Sequence, residues 1–290
     1  MNDRPFVITT DSGSDLTGSY CEENGIICMD LSYTINGETY SNSDPRMTYP
    51  QFYALVRKGA MPVTQQINPQ QVVTAMEPIL QEGKDILHLG FSSGLSGSYN
   101  STCIAAEELR EKYPDANIVT IDTLAASMGQ GLLVHKAVQM KKAGASLAEI
   151  ADWVEKNKLH LVHMFTVDDL NHLHRGGRVS KATALVGTAL GIKPVLHVDD
   201  EGHLINIGKV RGRKASLNAL VDRMMELADG WENPDVFISH GDCIEDARYV
   251  ADEVRRRLGK VEITIGYVGS VIGSHSGPGT LALFFMGEHR

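Results

Sequence analysis

Short apolar runs alternate with longer segments of helical period along the first half of the chain, and this alternation constrains the fold most. Residues 6–10, 85–91 and 117–121 have the character of strands, and each is followed by a polar or glycine-rich corner. Helical stretches come next, such as residues 98–113, which end before Pro114. Strands that alternate with helices in this way are typical of parallel βαβ units. The sequence therefore predicts an α/β fold with a parallel sheet.

The pattern changes after about residue 160. Strand-like segments become more frequent, two longer helical stretches separate them, and Asp200-Glu201-Gly202 predicts a β-hairpin with antiparallel strands. We therefore expect an N-terminal α/β domain over residues 1–160 and a mixed α+β domain over residues 161–290. No proline-rich linker lies between them, so we expect the two to pack closely.

Charge and hydropathy exclude several classes of protein. The net charge of −9 argues against non-specific binding to nucleic acid, which requires a basic face. No stretch has the ~20 apolar residues of a membrane-spanning helix, and the chain begins without a signal-peptide core. The four cysteines have no Cys-x-x-Cys spacing and are interpreted as reduced, structural thiols. We expect a cytoplasmic protein.

Four corners are rich in Gly, Ser and Thr: residues 10–15, 92–98, 122–123 and 269–280. The first three follow the predicted parallel strands, so they should meet at one edge of the sheet, where ligands of such folds bind. Helix N-termini at these corners favour an anion, such as a carboxylate or phosphate. The alternative is that these residues are ordinary helix caps and turns, which is our interpretation of Asp11 and Asp15. The density of hydroxyls makes Ser93 the first candidate for a ligand contact.

The sequence does not match the nucleophile-elbow or P-loop motifs of common enzymes. Gly94-Leu95-Ser96-Gly97-Ser98 lacks the glycine spacing of a nucleophile elbow, and no segment has P-loop spacing. The histidine pairs His160/His163 and His172/His174 lack the partners of a metal site and are interpreted as structural. His275 is different because three glycines and a proline surround it and predict a tight, irregular loop.

A basic turn, Arg175-Gly176-Gly177-Arg178, is the remaining cluster. Its two arginines either cap a solvated helix or grip the carboxylates or phosphate of a partner.

Together these motifs resemble the DegV family of bacterial proteins, some of which resemble the fatty-acid-binding subunit of fatty-acid kinase. In chain order the motifs are Thr10-Asp11-Ser12-x-Ser14-Asp15, Thr64, Ser92-Ser93-Gly94-Leu95-Ser96-Gly97-Ser98-Tyr99, Asp122-Thr123, Ser127-x-Gly129-x-Gly131, Arg175-Gly176-Gly177-Arg178, Lys193-Pro194 and Gly273-x-His275-x-Gly277-Pro278-Gly279. They extend over essentially the whole chain.

The resemblance implies that one long-chain fatty acid binds in the protein. Its carboxylate would be held by Thr64, Ser93 and His275, with Ser92 and Gly94 nearby. It also implies a separate kinase subunit that phosphorylates this carboxylate, a contact with that subunit near Arg175 and Arg178, and no catalytic residue, metal or cofactor in this chain. We expect a monomer when the protein is free.

One departure from the family pattern concerns Thr64. The family usually continues Thr-Ser-Gln-Pro, whereas this chain has Gln65 in place of the Ser and Ile67 in place of the Pro.

Two alternatives to a fatty-acid carrier remain. One is a small-molecule kinase or hydrolase that uses the same hydroxyl-rich edge, and the other is a sensor of an acyl ligand.

Overall fold

The computed structural model describes residues 4–181 and 191–290. Its strands are β1 (Phe6–Asp11), β2 (Ile27–Met29), β3 (Ser32–Ile35), β4 (Glu38–Ser41), β5 (Val63–Gln65), β6 (Asp85–Gly90), β7 (Ile118–Asp122), β8 (Leu161–Thr166), β9 (Ile192–Val198), β10 (Leu204–Arg211), β11 (Asp235–His240), β12 (Glu262–Tyr267) and β13 (Leu281–Met286). Its α-helices are α1 (Gly18–Glu23), α2 (Tyr49–Arg57), α3 (Pro69–Gln81), α4 (Ser98–Lys112), α5 (Met128–Lys142), α6 (Leu147–Asn157), α7 (Asn171–Arg175), α8 (Arg213–Leu227), α9 (Ile244–Leu258) and α10 (Ser270–Ser276).

A four-stranded parallel sheet confirms the predicted α/β fold. Its strand order is β2-β1-β6-β7, and all of its strands precede residue 160. The carboxyl ends of β1, β6 and β7 meet at one edge, as predicted: the Asp11 carboxylate accepts a hydrogen bond from the Phe91 N–H, and the Asp122 carboxylate accepts one from the Ser93 N–H. The hydroxyl-rich corners are therefore neighbours in space.

A six-stranded mixed sheet forms the second layer, in the order β10-β9-β8-β13-β11-β12. The predicted hairpin is present as the antiparallel pair β9–β10. Within this sheet, the sequence analysis missed β13, which lies between β8 and β11 and is buried on both faces. A six-residue apolar run has no alternation to identify it as a strand. The domain boundary at residue 160 remains a prediction, although each of the two larger sheets lies wholly on one side of it.

Helix α5 lies between the two larger sheets and contacts strands of both. Its first seven residues are buried, so this half of the helix has no face exposed to solvent. Glycines permit this close approach: a Cβ on Gly131 would lie 2.7 Å from the Ser14 carbonyl oxygen. The helix begins at Met128 because Leu124 and Ser127 before it have positive φ angles, of 52° and 54°.

A small antiparallel sheet, β4-β3-β5, was also missed by the sequence analysis. Thr64 lies in β5, opposite Tyr33 in β3. A second correction concerns His275, because residues 270–276 form helix α10 and not the predicted irregular loop. The glycine-rich segment folds as a helix since the bends occur after it, at Gly277 and Gly279, where φ is 76° and 77°.

Residues 1–3 lie outside the described residues, so the structure does not test the expectation that the chain begins without a signal-peptide core. Within residues 4–181 and 191–290, no helix is both long enough and apolar enough to cross a bilayer.

Candidate functional site

A cavity of about 500 Å³ lies between the edge of the parallel sheet and one face of the mixed sheet. Its apolar wall consists of Leu31, Phe91, Leu95, Ala126, Phe165, Leu173, Val198, Leu204, Val268, Val271, Ile272, Ala282 and Phe284. The volume falls in the usual range for a small-molecule site. An apolar wall of this extent favours a ligand with a long hydrocarbon portion.

The cavity face of the mixed sheet follows from strand alternation. Ala282 and Phe284 of β13 point into the cavity, and their partners across β8 are Phe165 and His163, which also line it. The intervening Leu283 points to the opposite face and packs into the core beneath α8 and α9. Because side chains alternate along a strand, one strand serves both the core and the cavity.

Thr64 and His275 are brought together at a polar end of the cavity. The Thr64 Oγ1 lies 2.8 Å from the His275 Nε2, so a hydrogen bond joins β5 to the last turn of α10. Burial, with a smaller contribution from the positive charge of Arg178, lowers the pKa of His275 to about 4. The imidazole is therefore neutral near pH 7, and it offers a polar contact without a positive charge of its own.

Arg178 closes the same end of the cavity. Its Nε and Nη2 donate to the Leu95 carbonyl oxygen at 3.2 and 3.1 Å, and its Nη1 donates to the Gly176 carbonyl oxygen. The half-buried guanidinium thus holds the loop that contains Ser96. Ser96 lines the cavity, and its Oγ lies 2.9 Å from the Ser98 Oγ. Neutral polar side chains, among them Thr64, Ser96 and His275, therefore lie at this end of the cavity together with the guanidinium of Arg178.

A second cleft, of about 510 Å³, lies outside this polar end. Thr64, Arg178 and His275 line both the cavity and this outer cleft. The rest of the outer cleft is formed by Ala60, Met61, Pro62, Val63, His172, Arg175, Gly176 and Ser274. The polar end of the cavity and the outer cleft thus share these three side chains.

The predicted ligand contacts of the serine corner lie elsewhere. The Ser92 hydroxyl is buried and donates to the Gly202 carbonyl oxygen at 2.9 Å, and Gly94 packs against the same hairpin turn. Ser93 is exposed, and its N–H donates to the Asp122 carboxylate. Among the described residues, these three are not part of the cavity wall, and their role as ligand contacts remains a prediction.

Sequence reasoning missed Ser96 as a lining residue. The signal was present, since Ser96 belongs to the same hydroxyl-rich corner as Ser93. What the sequence does not reveal is the turn at residues 92–95, closed by a hydrogen bond from the Leu95 N–H to the Ser92 carbonyl oxygen, which directs the end of the corner towards the cavity.

The two arginines of the basic turn differ in their surroundings. Arg178 points inward to the cavity, whereas Arg175 is exposed at the outer cleft, where its Nη2 lies 3.0 Å from the His172 Nδ1. Of this pair, only Arg175 presents its guanidinium to solvent in the way a docking surface requires.

Asp11 and Asp15 tie the loops behind the cavity together. The Asp11 carboxylate accepts the Gly13 and Phe91 N–H groups, both at 2.9 Å. The Asp15 carboxylate accepts the Gly269 N–H at 3.0 Å and the Ser127 hydroxyl. Burial raises the pKa of Asp11 to about 6 and that of Asp15 to about 7. These contacts support the interpretation of both carboxylates as structural.

No set of three His, Cys, Asp or Glu side chains within the described residues is arranged to hold a metal ion.

Comparison with known proteins defines the class of protein. The model of the DegV family, described as uncharacterised, matches residues 5–288, so the chain belongs to the DegV family. A DegV domain-containing protein of Clostridium perfringens is 48% identical over 288 residues, which cover 99% of each chain.

Solved structures have the same fold. One is a fatty-acid-binding DegV family protein from Thermus thermophilus. It has a TM-score of 0.88 and 29% identity, with 98% of this chain and 99% of that chain covered. A stearic acid-binding protein from Eubacterium ventriosum has a TM-score of 0.88 and 26% identity, with 98% of both chains covered. Both of these neighbours bind fatty acids.

Proposed function

We propose that this protein binds one long-chain fatty acid in the cavity and presents its carboxylate to a separate kinase subunit, which forms the acyl phosphate. The observation that carries this proposal is an apolar cavity whose polar end, at Thr64, Arg178 and His275, is shared with an outer cleft. The fatty acids bound by the structural neighbours support the choice of ligand.

The hydrocarbon tail supplies the affinity. Burial of a methylene group is worth about 0.8 kcal/mol, so a chain of about fifteen methylenes offers roughly 12 kcal/mol before the ordering costs of association. The aromatic and aliphatic side chains of the cavity wall offer apolar contacts to such a chain.

The carboxylate is held by Thr64, His275 and Ser96, beside the guanidinium of Arg178. Direct hydrogen bonds from neutral donors compensate the desolvated charge. The geometry favours Ser96 over the Ser93 of the sequence prediction because Ser96 lines the cavity. Ser92, Ser93 and Gly94 then act indirectly, by fixing the corner to the hairpin and to Asp122.

The outer cleft is the route by which the kinase subunit reaches the carboxylate. Met61 and Val63 are 72% and 66% exposed beside this cleft, which is unusual for apolar side chains on a surface that stays in water. Arg175 adds a positive charge to the same cleft. An apolar patch with a flanking cation fits a protein partner that carries an acidic rim.

The chain itself contributes no catalytic group in this proposal. A hydroxyl nucleophile is activated by a base beside it. The Thr64 hydroxyl has the neutral His275 beside it, but both groups are assigned here to the carboxylate.

Reconstitution tests the proposal. The purified chain is loaded with a fatty acid and incubated with ATP, either alone or with the fatty-acid kinase subunit of the same organism, and acyl phosphate is trapped with hydroxylamine. We expect hydroxamate only when the kinase subunit is present. Acyl phosphate or ADP formed by the chain alone would support the enzyme alternative, and bound fatty acid that the kinase subunit leaves unchanged would support the sensor.

A further inference from the structure

Helix α10, which carries His275, begins at a residue that cannot cap it. The N-cap residue is Gly269, which has no side chain to accept a hydrogen bond from the first turn. The helix has only seven residues, Ser270–Ser276. A helix this short is marginal by itself, because its first turn leaves backbone N–H groups without partners. Its support must therefore come from elsewhere in the fold.

Two side chains from the N-terminal half of the chain supply the missing acceptors. The Asp15 carboxylate accepts the Gly269 N–H at 3.0 Å, and the Asn42 Oδ1 accepts the Val271 N–H at 3.2 Å. Both bonds are buried, and they span 254 and 229 positions of sequence. The start of α10 is therefore held by a distant part of the chain.

Packing seats the same helix against α2. The Tyr53 hydroxyl donates to the Val268 carbonyl oxygen at 2.7 Å, one residue before the N-cap. A Cβ on Gly273 would lie 2.5 Å from the Tyr53 hydroxyl oxygen, so a glycine is required for this close approach. Val271 packs into the apolar cluster that contains Tyr53 and Phe52. The position of α10 is thus set by α2 as well as by the two capping side chains.

Asn42 is itself fixed in place. It follows directly after β4, it is 8% exposed, and its N–H donates to the Leu31 carbonyl oxygen at 2.9 Å. Leu31 is part of the cavity wall. Asn42 therefore connects this wall to the first turn of α10.

His275, one turn further along α10, is in close contact on two sides. Its Nε2 lies 2.8 Å from the Thr64 Oγ1, and a Cβ on Gly176 would lie 2.2 Å from its Nδ1. A small shift of the helix would therefore lengthen the bond to Thr64 or push the imidazole against Gly176.

We propose that Asn42 is a positioning residue for the carboxylate site: it caps α10 and thereby holds the His275 imidazole at the place that Thr64 and the ligand require. This inference rests on the proposed function, because it concerns the same bound carboxylate. Asn42 is not part of the cavity wall and acts only through the helix. Its removal should weaken recognition of the carboxylate and leave the tail contacts in place.

Competition titrations of the full chain with a fluorescent fatty acid test this proposal, with a fatty acid and its methyl ester as competitors. Asn42→Ala removes the acceptor, and we expect a roughly three- to tenfold weaker affinity for the acid and a smaller change for the ester. The matched control is Asn233→Ala. The Asn233 side chain bonds both backbone groups of Met286, at 2.7 and 2.8 Å, and neither residue lines the cavity. The control should lose stability and keep the wild-type ratio of acid to ester affinity.

A double-mutant cycle separates positioning from general stability. In a His275→Phe background, Asn42→Ala should change the acid-to-ester ratio no further, because the imidazole through which Asn42 acts is gone. If Asn42→Ala does not fold, Asn42→Ser replaces it. The serine side chain is too short to reach the Val271 N–H, so the same loss is expected.

Three results would overturn the inference. An unchanged acid-to-ester ratio in a folded Asn42 variant would remove the positioning role and leave the proposed function intact. An equal effect of Asn42→Ala with and without His275 would show that Asn42 does not act through the imidazole. A folded wild-type chain that binds neither acid nor ester would refute the proposed function, and this inference with it.

Discussion

The hydroxyl of Thr64 offers the sharpest test of the proposed carboxylate site. In Thr64→Val a methyl group replaces the hydroxyl, so the shape of the cavity wall is nearly kept. The hydrogen bond of 2.8 Å to the His275 Nε2 is lost, together with the donor that we assign to the carboxylate. The tail contacts remain.

The expected loss of binding affinity follows from the charge of the ligand. A hydrogen bond to a charged group is worth about 1.5–3 kcal/mol, which corresponds to a roughly ten- to hundredfold weaker affinity. The methyl ester of the same fatty acid carries no charge, and a bond to a neutral acceptor is worth about 1 kcal/mol or less. Thr64→Val should therefore weaken binding of the acid more than binding of the ester.

Competition titrations with a fluorescent fatty acid measure both affinities. The matched control is Thr74→Val on α3, where the exposed hydroxyl donates to the Gln70 carbonyl oxygen of its own helix. The control should bind acid and ester as the wild type does. The reasoning is refuted if Thr64→Val keeps the wild-type ratio of acid to ester affinity while its melting temperature is unchanged.

Three further predictions concern other parts of the molecule. Ser96→Ala should weaken fatty-acid binding about tenfold, whereas Ser93→Ala should leave it within about twofold in the same titration. Arg175→Glu should slow acyl phosphate formation by the kinase subunit with unchanged lipid content, and Arg248→Glu, on the exposed face of α9, should change neither. The pKa of Asp15 is raised from an ordinary 3.8 to about 7 in the folded chain. Between these two pH values the folded chain holds a proton on Asp15 that the unfolded chain has released. The contribution of Asp15 to the free energy of unfolding therefore falls as the pH rises from about 4 to 7. Asp15→Asn should flatten that decline in denaturant titrations; an equally steep decline would contradict the assignment.

Three of the four strands of the parallel sheet were predictable because their signals are local, whereas the three-residue edge strand β2 was missed. Each of β1, β6 and β7 is a short apolar run with a turn-forming corner behind it, and the capping box at Ser146 and Glu149 marks the start of α6. Strand β13 was not predictable, since Leu281–Met286 is uniformly apolar and becomes a strand only by insertion between β8 and β11.

The candidate site was predicted in part. The sequence motifs pointed to Thr64 and His275, and the structure brings these two residues together across 211 positions of sequence. The inward direction of Arg178 and the placement of Ser96 depend on long-range contacts, such as the bonds from the guanidinium to the Leu95 carbonyl oxygen. Such contacts have no counterpart in local sequence patterns.

The central claim is that the apolar cavity holds one fatty acid by its carboxylate. Native mass spectrometry of the purified chain, followed by solvent extraction and analysis of the released compound, measures this most directly. We expect one long-chain fatty acid per chain, and a smaller bound fraction in Thr64→Val purified in parallel. A chain that carries no lipid and takes up none when fatty acid is added, while it remains folded, would contradict the account.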